Sequence, residues 1–427
     1  MNIKYILTAL ILLAAFSKSE AMTIEQCVEK AMANYPIIKK YNLMTAISEI
    51  ELSDINKGWL PRIGLYGQIT GQNSVPSFPD ALSGILQNMG QEIKGMGKIQ
   101  YKVGIDLSQT IWDGGTSKAR RDMIRTQEEL QNAGLDVELY QVRQRVENLY
   151  FAILLTEEQT AQSRITYNLL CDNLKKLKSM LVNGVAMQAD IDMVEAQALT
   201  VNQNIINSQT AAESYRKALE IFIGESLLNE TLEMPEDKMP ADTESHRPEL
   251  KLFERKLEYN ESANRLAQTS LKPNIGLFAQ GYYGYPGFNY FQSMMNRKLS
   301  FNILAGVKVA WNIDSFYTKK NTTGKTRLNA ADIAADRDVF LFNTRIQSAS
   351  QTESIKGIRE MMKDDSRIVA LRSNVRKAAE AQLNNGVIDI TALLTKISDE
   401  NMAILTSKYH EILLLQEIYK LKFTLDQ

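Results

Sequence analysis

The chain is 427 residues long, with 49 Lys and Arg against 50 Asp and Glu. That length bounds it at two or three ordinary domains, and a net charge of −1 excludes the basic field of a nucleic-acid binder. Two cysteines, Cys27 and Cys171, and two histidines, His246 and His410, are too few and too scattered for a disulfide framework or for metal or general-base chemistry, so no cofactor and no metal are expected.

Residues 1–21 have the pattern of a secretory signal peptide: Lys4 in the n-region, an apolar run from Tyr5 to Phe16, and Ser19-Glu20-Ala21 at the cleavage site. The run is too short to cross a bilayer core as a helix, which takes roughly 20 residues. No Cys directly follows the cleavage site, so no lipid anchor is expected there. No later stretch approaches 18 uninterrupted apolar residues. Any membrane crossing would then be made by β-strands, because only helices and closed barrels satisfy the backbone in lipid.

A first repeat is read over 22–235. Thr23-Ile24-Glu25-Gln26 has the pattern of a capping box opening a short helix, and Pro36 suits the first position of a helix. A strand over 62–70 alternates weakly. After a loop, 101–112 (YKVGIDLSQTIW) alternates with period two. Tyr101, Val103, Ile105, Leu107 and Ile111 share one face; Lys102, Gly104, Asp106, Ser108 and Thr110 share the other. Asp113-Gly114-Gly115 turns this strand into a Pro-free helix over 116–182, about 100 Å long at 1.5 Å per residue. Asn183-Gly184 stops it. A partner helix over 190–223 keeps the same three-four apolar spacing, which specifies coiled-coil packing into an antiparallel hairpin.

A polar linker, 236–246, leads to a second repeat over 247–427: a helix at Pro248, strands 274–282 and 301–313, a long helix 318–384, the Asn385-Gly386 stop and a helix 390–425. Pro61, Ile63, Gly64, Leu65 and Gln68 recur as Pro273, Ile275, Gly276, Leu277 and Gln280 at a common offset of 212; downstream the offset falls to 202, as a shorter second loop requires. In 301–313, Phe301, Ile303, Val307, Val309, Trp311 and Ile313 oppose Asn302, Gly306, Lys308 and Asn312. Residues 271–317 hold eleven of the 33 aromatics, and Trp59, Trp112 and Trp311 stand at strand ends, where membrane-interface belts form. A soluble sandwich strand with one wet face would not place them so.

Four strands cannot close a barrel, for which about eight is the practical minimum, and an open edge in lipid is forbidden. Two copies give eight strands and a filled interior. Three give twelve, with room to conduct, and Lys102, Asp106 and Lys308 would line that lumen.

The motifs Asn34-Tyr35-Pro36, Leu60-Pro61, Ile111-Trp112-Asp113-Gly114-Gly115 and Asn183-Gly184-Val185 with Asp190-Ile191, together with Asn385-Gly386-Val387, occur in this order across both halves. In this the chain resembles TolC-like outer-membrane efflux proteins over essentially its whole mature length. The resemblance implies a homotrimer with a 12-stranded β-barrel in the outer membrane, four strands per protomer, continued by a 12-helix α-helical barrel in the periplasm. It also implies docking to a periplasmic adaptor (a membrane fusion protein) and an inner-membrane pump or ABC transporter, as the exit duct of tripartite efflux or type I secretion. Such channels close at their periplasmic helix tips, often with acids just after the Gly turn. Here Gly184, Asp190, Asp192, Gly386 and Asp389 fall at those tips. The second repeat departs from the pattern: Ala392 and Thr395 stand where aspartates are usual, and Ile388 where an arginine is. Ordinary helix-start acids would look the same.

A soluble periplasmic coiled-coil adaptor is the competing reading; it leaves the strands unexplained. An enzyme is not expected: Thr323-Gly324-Lys325-Thr326 lacks the first glycine of a phosphate loop and lies within a helix pattern. The cargo is not legible in the sequence.

Overall fold

The structure, a computed structural model, describes residues 21–90, 95–228 and 230–427. Apart from Ala21, the expected signal peptide lies outside them. In chain order the elements are α1 (Ile24–Asn34), α2 (Ile38–Lys57), β1 (Arg62–Gly71), α3 (Asp80–Asn88), β2 (Ile99–Trp112), α4 (Thr116–Val182) and α5 (Gln188–Ile223). Then follow α6 (Pro248–Gln268), β3 (Asn274–Tyr285), α7 (Tyr290–Asn296), β4 (Ser300–Ala310), α8 (Ser315–Asn384) and α9 (Ile390–Leu425). The chain is mostly helical with a single antiparallel sheet among the described residues. No described helix is long and apolar enough to cross a membrane.

Two compact units result. One holds the residues up to Asn42, Asn132–Phe253 and Ala335–Gln427; the other holds Leu43–Gln131 and Glu254–Ala334.

The second unit carries the sheet, in the order β1-β2-β3-β4, every neighbour antiparallel. Loops expected between paired strands contain the short helices α3 and α7. Two details differ from the alternation read in the sequence. The register shifts between Thr110 and Trp112, so Ile111 has no partner and Trp112 pairs with Ile275; this bulge puts Trp112 on the face of Leu277 and Ala279. Strand β4 ends at Ala310 rather than 313. Its last partner is Asn274, and the next would be Pro273, which has no N–H to donate. Trp311 and Ile313 therefore leave the ladder.

The first unit is helical. Its largest core joins Ile24, Cys27 and Ala31 of α1 to Val146, Tyr150 and Phe151 of α4, Leu219 of α5 and Tyr419 of α9. Each fully buried aliphatic here contributes about 1.5–3 kcal/mol. Thr23 caps α1 through the capping box expected of it. Pro36 instead lies in the turn between α1 and α2, where its carbonyl accepts from Lys39 N–H. Met22 forms a parallel bridge with Leu232, and the buried Tyr150 hydroxyl reaches Met22 O at 2.8 Å and Glu233 O at 2.6 Å. A second core runs from Leu170 and Leu177 of α4 through Ile191, Val194 and Ala198 of α5 to Ala379 of α8 and Ile390 and Leu393 of α9. The apolar stripes of both hairpins thus meet in one seam.

Candidate functional site

Cross-strand register assigns every sheet side chain to a face. One face is apolar: Ile63, Leu65 and Ile69 of β1, Val103, Ile105 and Leu107 of β2, and Phe301, Ile303, Val307 and Val309 of β4. These side chains are exposed, Leu65 to 81% and Ile69 to 80%, and contiguous, far beyond the patch an isolated soluble protein leaves open. Aromatics border this face at both ends. Trp59, Trp112 and Trp311 gather at the end where β1 starts and β2 and β4 finish; Tyr101, Tyr283 and Phe301 lie at the other. Trp311 Nε1 donates to Leu271 O at 3.0 Å and its ring meets Phe316 edge-on. Trp59 O accepts from the Gln109 side chain at 3.4 Å.

The other face brings Lys102, Asp106 and Lys308 together on one side, as their even spacing and the Gly276–Lys308 and Gly276–Thr110 pairs require. They are not three equivalent open charges. The Lys102 ammonium lies over the rings of Tyr66 and Tyr282, 5.7 and 5.4 Å from their centroids. Asp106 accepts from Gln280 Nε2 at 2.8 Å. Lys308 is exposed, with no partner among the described residues. Tyr66 and Tyr282 flank Gly104, where an added Cβ would fall 2.6 Å from Gly281 O and 2.9 Å from Tyr66 Cζ. The glycine is what lets both rings close on the strand. Tyr66 and Tyr282 escape a sequence reading because their shared neighbour appears only once the register of β1 and β3 on β2 is known.

The helix tips belong to the first unit. α4 and α8 end alike: Gly184 has φ +70° and Gly386 φ +69°. Val185 N donates to Met180 O at 2.9 Å and Val387 N to Gln382 O at 2.8 Å, with Gly184 N to Leu181 O and Gly386 N to Leu383 O closing the inner loop. These are Schellman motifs, and their left-handed residue favours glycine. The acids beyond them hold the next helices. Asp190 accepts from Met187 N at 2.9 Å, Asp192 from Gln188 Nε2 at 2.8 Å, and Asp389, the N-cap of α9, from Ala392 N at 2.8 Å. Asp192 and Asp389 are exposed and Asp190 half-buried, so all three also project charge into water. Ile388 packs against the hairpin core, and the Thr395 hydroxyl donates to Thr391 O.

Polar links along the hairpins carried no sequence signal. Asn401 Oδ1 of α9 accepts from Thr166 at 2.6 Å and Gln162 at 3.2 Å of α4. Between α8 and α9, Arg372 pairs with Asp399 at 2.9 Å, Asp365 with His410 at 2.8 Å, and Arg376 with Glu400. Thr323-Gly324-Lys325-Thr326 lies in mid-helix within α8. No group of three or more His, Cys, Asp or Glu among the described residues is placed to hold a metal ion.

No family model matches the sequence, and no curated protein does. Solved structures do. The outer-membrane channel OprN superposes with a TM-score of 0.66 at 14% identity, covering 94% of this chain and 89% of that one. The outer-membrane protein VceC from Vibrio cholerae gives 0.65 at 12% identity, covering 94% of each chain. The open state of the MtrE outer-membrane channel of Neisseria gonorrhoeae gives 0.64 at 13% identity, covering 94% and 88%. Their likeness extends over both units, and with it the doubled strand-and-hairpin pattern finds its counterpart: the chain has the TolC-like fold shared by these outer-membrane channels.

Proposed function

We propose that the chain is one protomer of a homotrimeric exit duct in the outer membrane. Its twelve strands would form the β-barrel and its twelve helices a barrel reaching into the periplasm. One observation carries this: a four-stranded sheet whose outer strands, β1 and β4, have no further partner among the described residues, and which is apolar on one face and polar on the other. Such a sheet cannot stand alone in lipid. From Tyr101 to Trp112 a strand measures about 35 Å, which at a tilt of roughly 45° projects to the ~25 Å apolar band of such barrels. The two aromatic rows fit its two interfaces.

On this reading the duct is passive, works with a periplasmic adaptor and an inner-membrane pump or ABC transporter, and closes at the tips carrying Gly184 and Gly386. Lys102, Asp106 and Lys308 line the barrel. The test is fractionation and reconstitution. Heat-modifiable trimers in the outer-membrane fraction that conduct ions in planar bilayers are expected; a monomer freed by osmotic shock would overturn the reading. Asp190, Asp192 and Asp389 would attract cations at the mouth. Asp190→Asn, which keeps the acceptor and removes the charge, should lower cation preference in single-channel recording, and Asp190→Ala should do so too. Unchanged ion preference would leave these acids as helix caps alone.

A further inference from the structure

The helical unit contains a cavity that the duct does not use. It lies among α1, α4 and α9 and measures about 590 Å³, within the range of small-molecule sites. Val28, Met32 and Tyr140 give it an apolar wall. Four carboxylates line it, Glu25, Glu29, Glu147 and Asp426, against one cation, Arg143.

The charges do not cancel. The Arg143 guanidinium is already committed, its Nε to Glu147 Oε1 at 2.8 Å and its Nη1 to Asp426 at 3.4 Å. Glu25 accepts from the Tyr419 phenol at 2.6 Å, and the Lys422 ammonium over that ring offsets part of its charge. Glu29 has no partner among the described residues. Glu147 is 4% exposed and its charge is taken up by Arg143, so the acids left to meet a ligand are Glu29 and Glu25 at the exposed rim of the cavity. An anion would meet net repulsion here, and a neutral apolar molecule would leave the carboxylates facing it unpaired and dehydrated. A molecule with one positive charge and a hydrocarbon body satisfies both the wall and the acids.

From this geometry we infer that the α1–α4–α9 cavity is a binding site for a small amphipathic organic cation, its charge toward Glu29 and Glu25 at the rim and its body against Val28, Met32 and Tyr140. The inference needs only the helical unit and does not depend on whether the chain conducts.

The test uses the full chain in amphipol and two probes of the same shape and opposite charge, tetraphenylphosphonium and tetraphenylborate, in equilibrium dialysis. Saturable binding of the phosphonium at least tenfold tighter than the borate is expected. Met32→Trp should fill the cavity and weaken phosphonium binding tenfold or more. Glu29→Lys, at an exposed position that leaves folding intact, should weaken it at least threefold and so decides the matter if Met32→Trp does not fold. Equal binding of both probes, or phosphonium binding that neither substitution changes, overturns the site and assigns the uptake to hydrophobic partitioning.

Discussion

Arg247 sits at the centre of an aromatic cage in the helical unit. Its guanidinium lies over Phe340, Phe423 and Tyr140, at 5.1, 5.4 and 5.8 Å from their centroids, and pairs with Glu249. Arg247→Ala should lower the unfolding free energy by about 2–3 kcal/mol, through lost stacking and the Glu249 carboxylate left half-buried. Arg247→Lys should recover less than half, because an ammonium has no plane to stack. Denaturant titration of the full chain measures both. Nothing in the sequence marks this residue: its neighbours come from α4, α8 and α9, and each ring alone reads as ordinary core. Glu147 is a second case. Burial pushes its carboxyl up to about 7, even against the opposing pull of Arg143. A carboxyl raised on folding holds its proton better in the native state, so its stabilisation is complete below the unfolded value near 4.5 and is lost as pH climbs through about 7. Glu147→Gln should remove a pH-dependent loss on the order of 3 kcal/mol between pH 4.5 and 8. Melting curves of both proteins across that range would show it; parallel curves would contradict it.

Secondary structure was the most legible level, for reasons particular to each element. The Asn-Gly pairs announce the helix stops because the left-handed backbone at Gly184 and Gly386 excludes most side chains. Alternation marks β2 because its two faces differ in chemistry, apolar on one side and polar on the other. What the alternation could not show was the bulge at Ile111, or that Pro273 cuts β4 short, since both depend on the facing strand. The α8–α9 ion pairs were hidden for the same reason. They differ in weight. Arg376 and Glu400 have side chains 13% and 11% exposed, and the guanidinium also pairs with Glu380 at 2.7 Å, so Glu400→Ala removes one of its two carboxylates and should cost about 1.5–3 kcal/mol. Asp399→Ala, breaking the more exposed pair with Arg372, should cost under 1 kcal/mol. Thermal denaturation of the two variants side by side tests that ranking. In the sheet, Gly104→Val should displace Tyr66 and Tyr282 and release Lys102 from their rings, cutting the yield of heat-resistant assembly several-fold; Ser108→Val, two pairs along the same face at an exposed position, should not.

At the scale of the molecule, identities of 12–14% with solved channels leave almost no residue-level agreement, yet the backbones superpose. The fold was legible because its constraints are of a kind that order and spacing record: two interruptions by Pro and Gly, two Pro-free helices of coiled-coil period, and strands too few to close. The tip acids were less so. Their positions can be read, but the sequence does not separate a charge that serves a helix start from one that serves a pore, and Asp190, Asp192 and Asp389 do make helix-start contacts. In the proposed duct, reversing the charge at Lys308 should shift ion preference toward cations more than Lys102→Glu does, because Lys308 is exposed whereas Lys102 is half-buried and held against the Tyr66 and Tyr282 rings. Reversal potentials under a salt gradient would rank the two.

Four is an even number, and that parity governs how neighbouring copies would join. Because β1 and β4 point in opposite directions, the last stave of one subunit can lie against the first of the next in the same antiparallel manner as every pairing inside the subunit. With three or five staves the joints would be parallel and of a different kind from the rest. In the proposed assembly the joints between subunits would have the same hydrogen-bonded form as the wall itself, so separating the copies would mean breaking strand pairs of the kind that hold each one together.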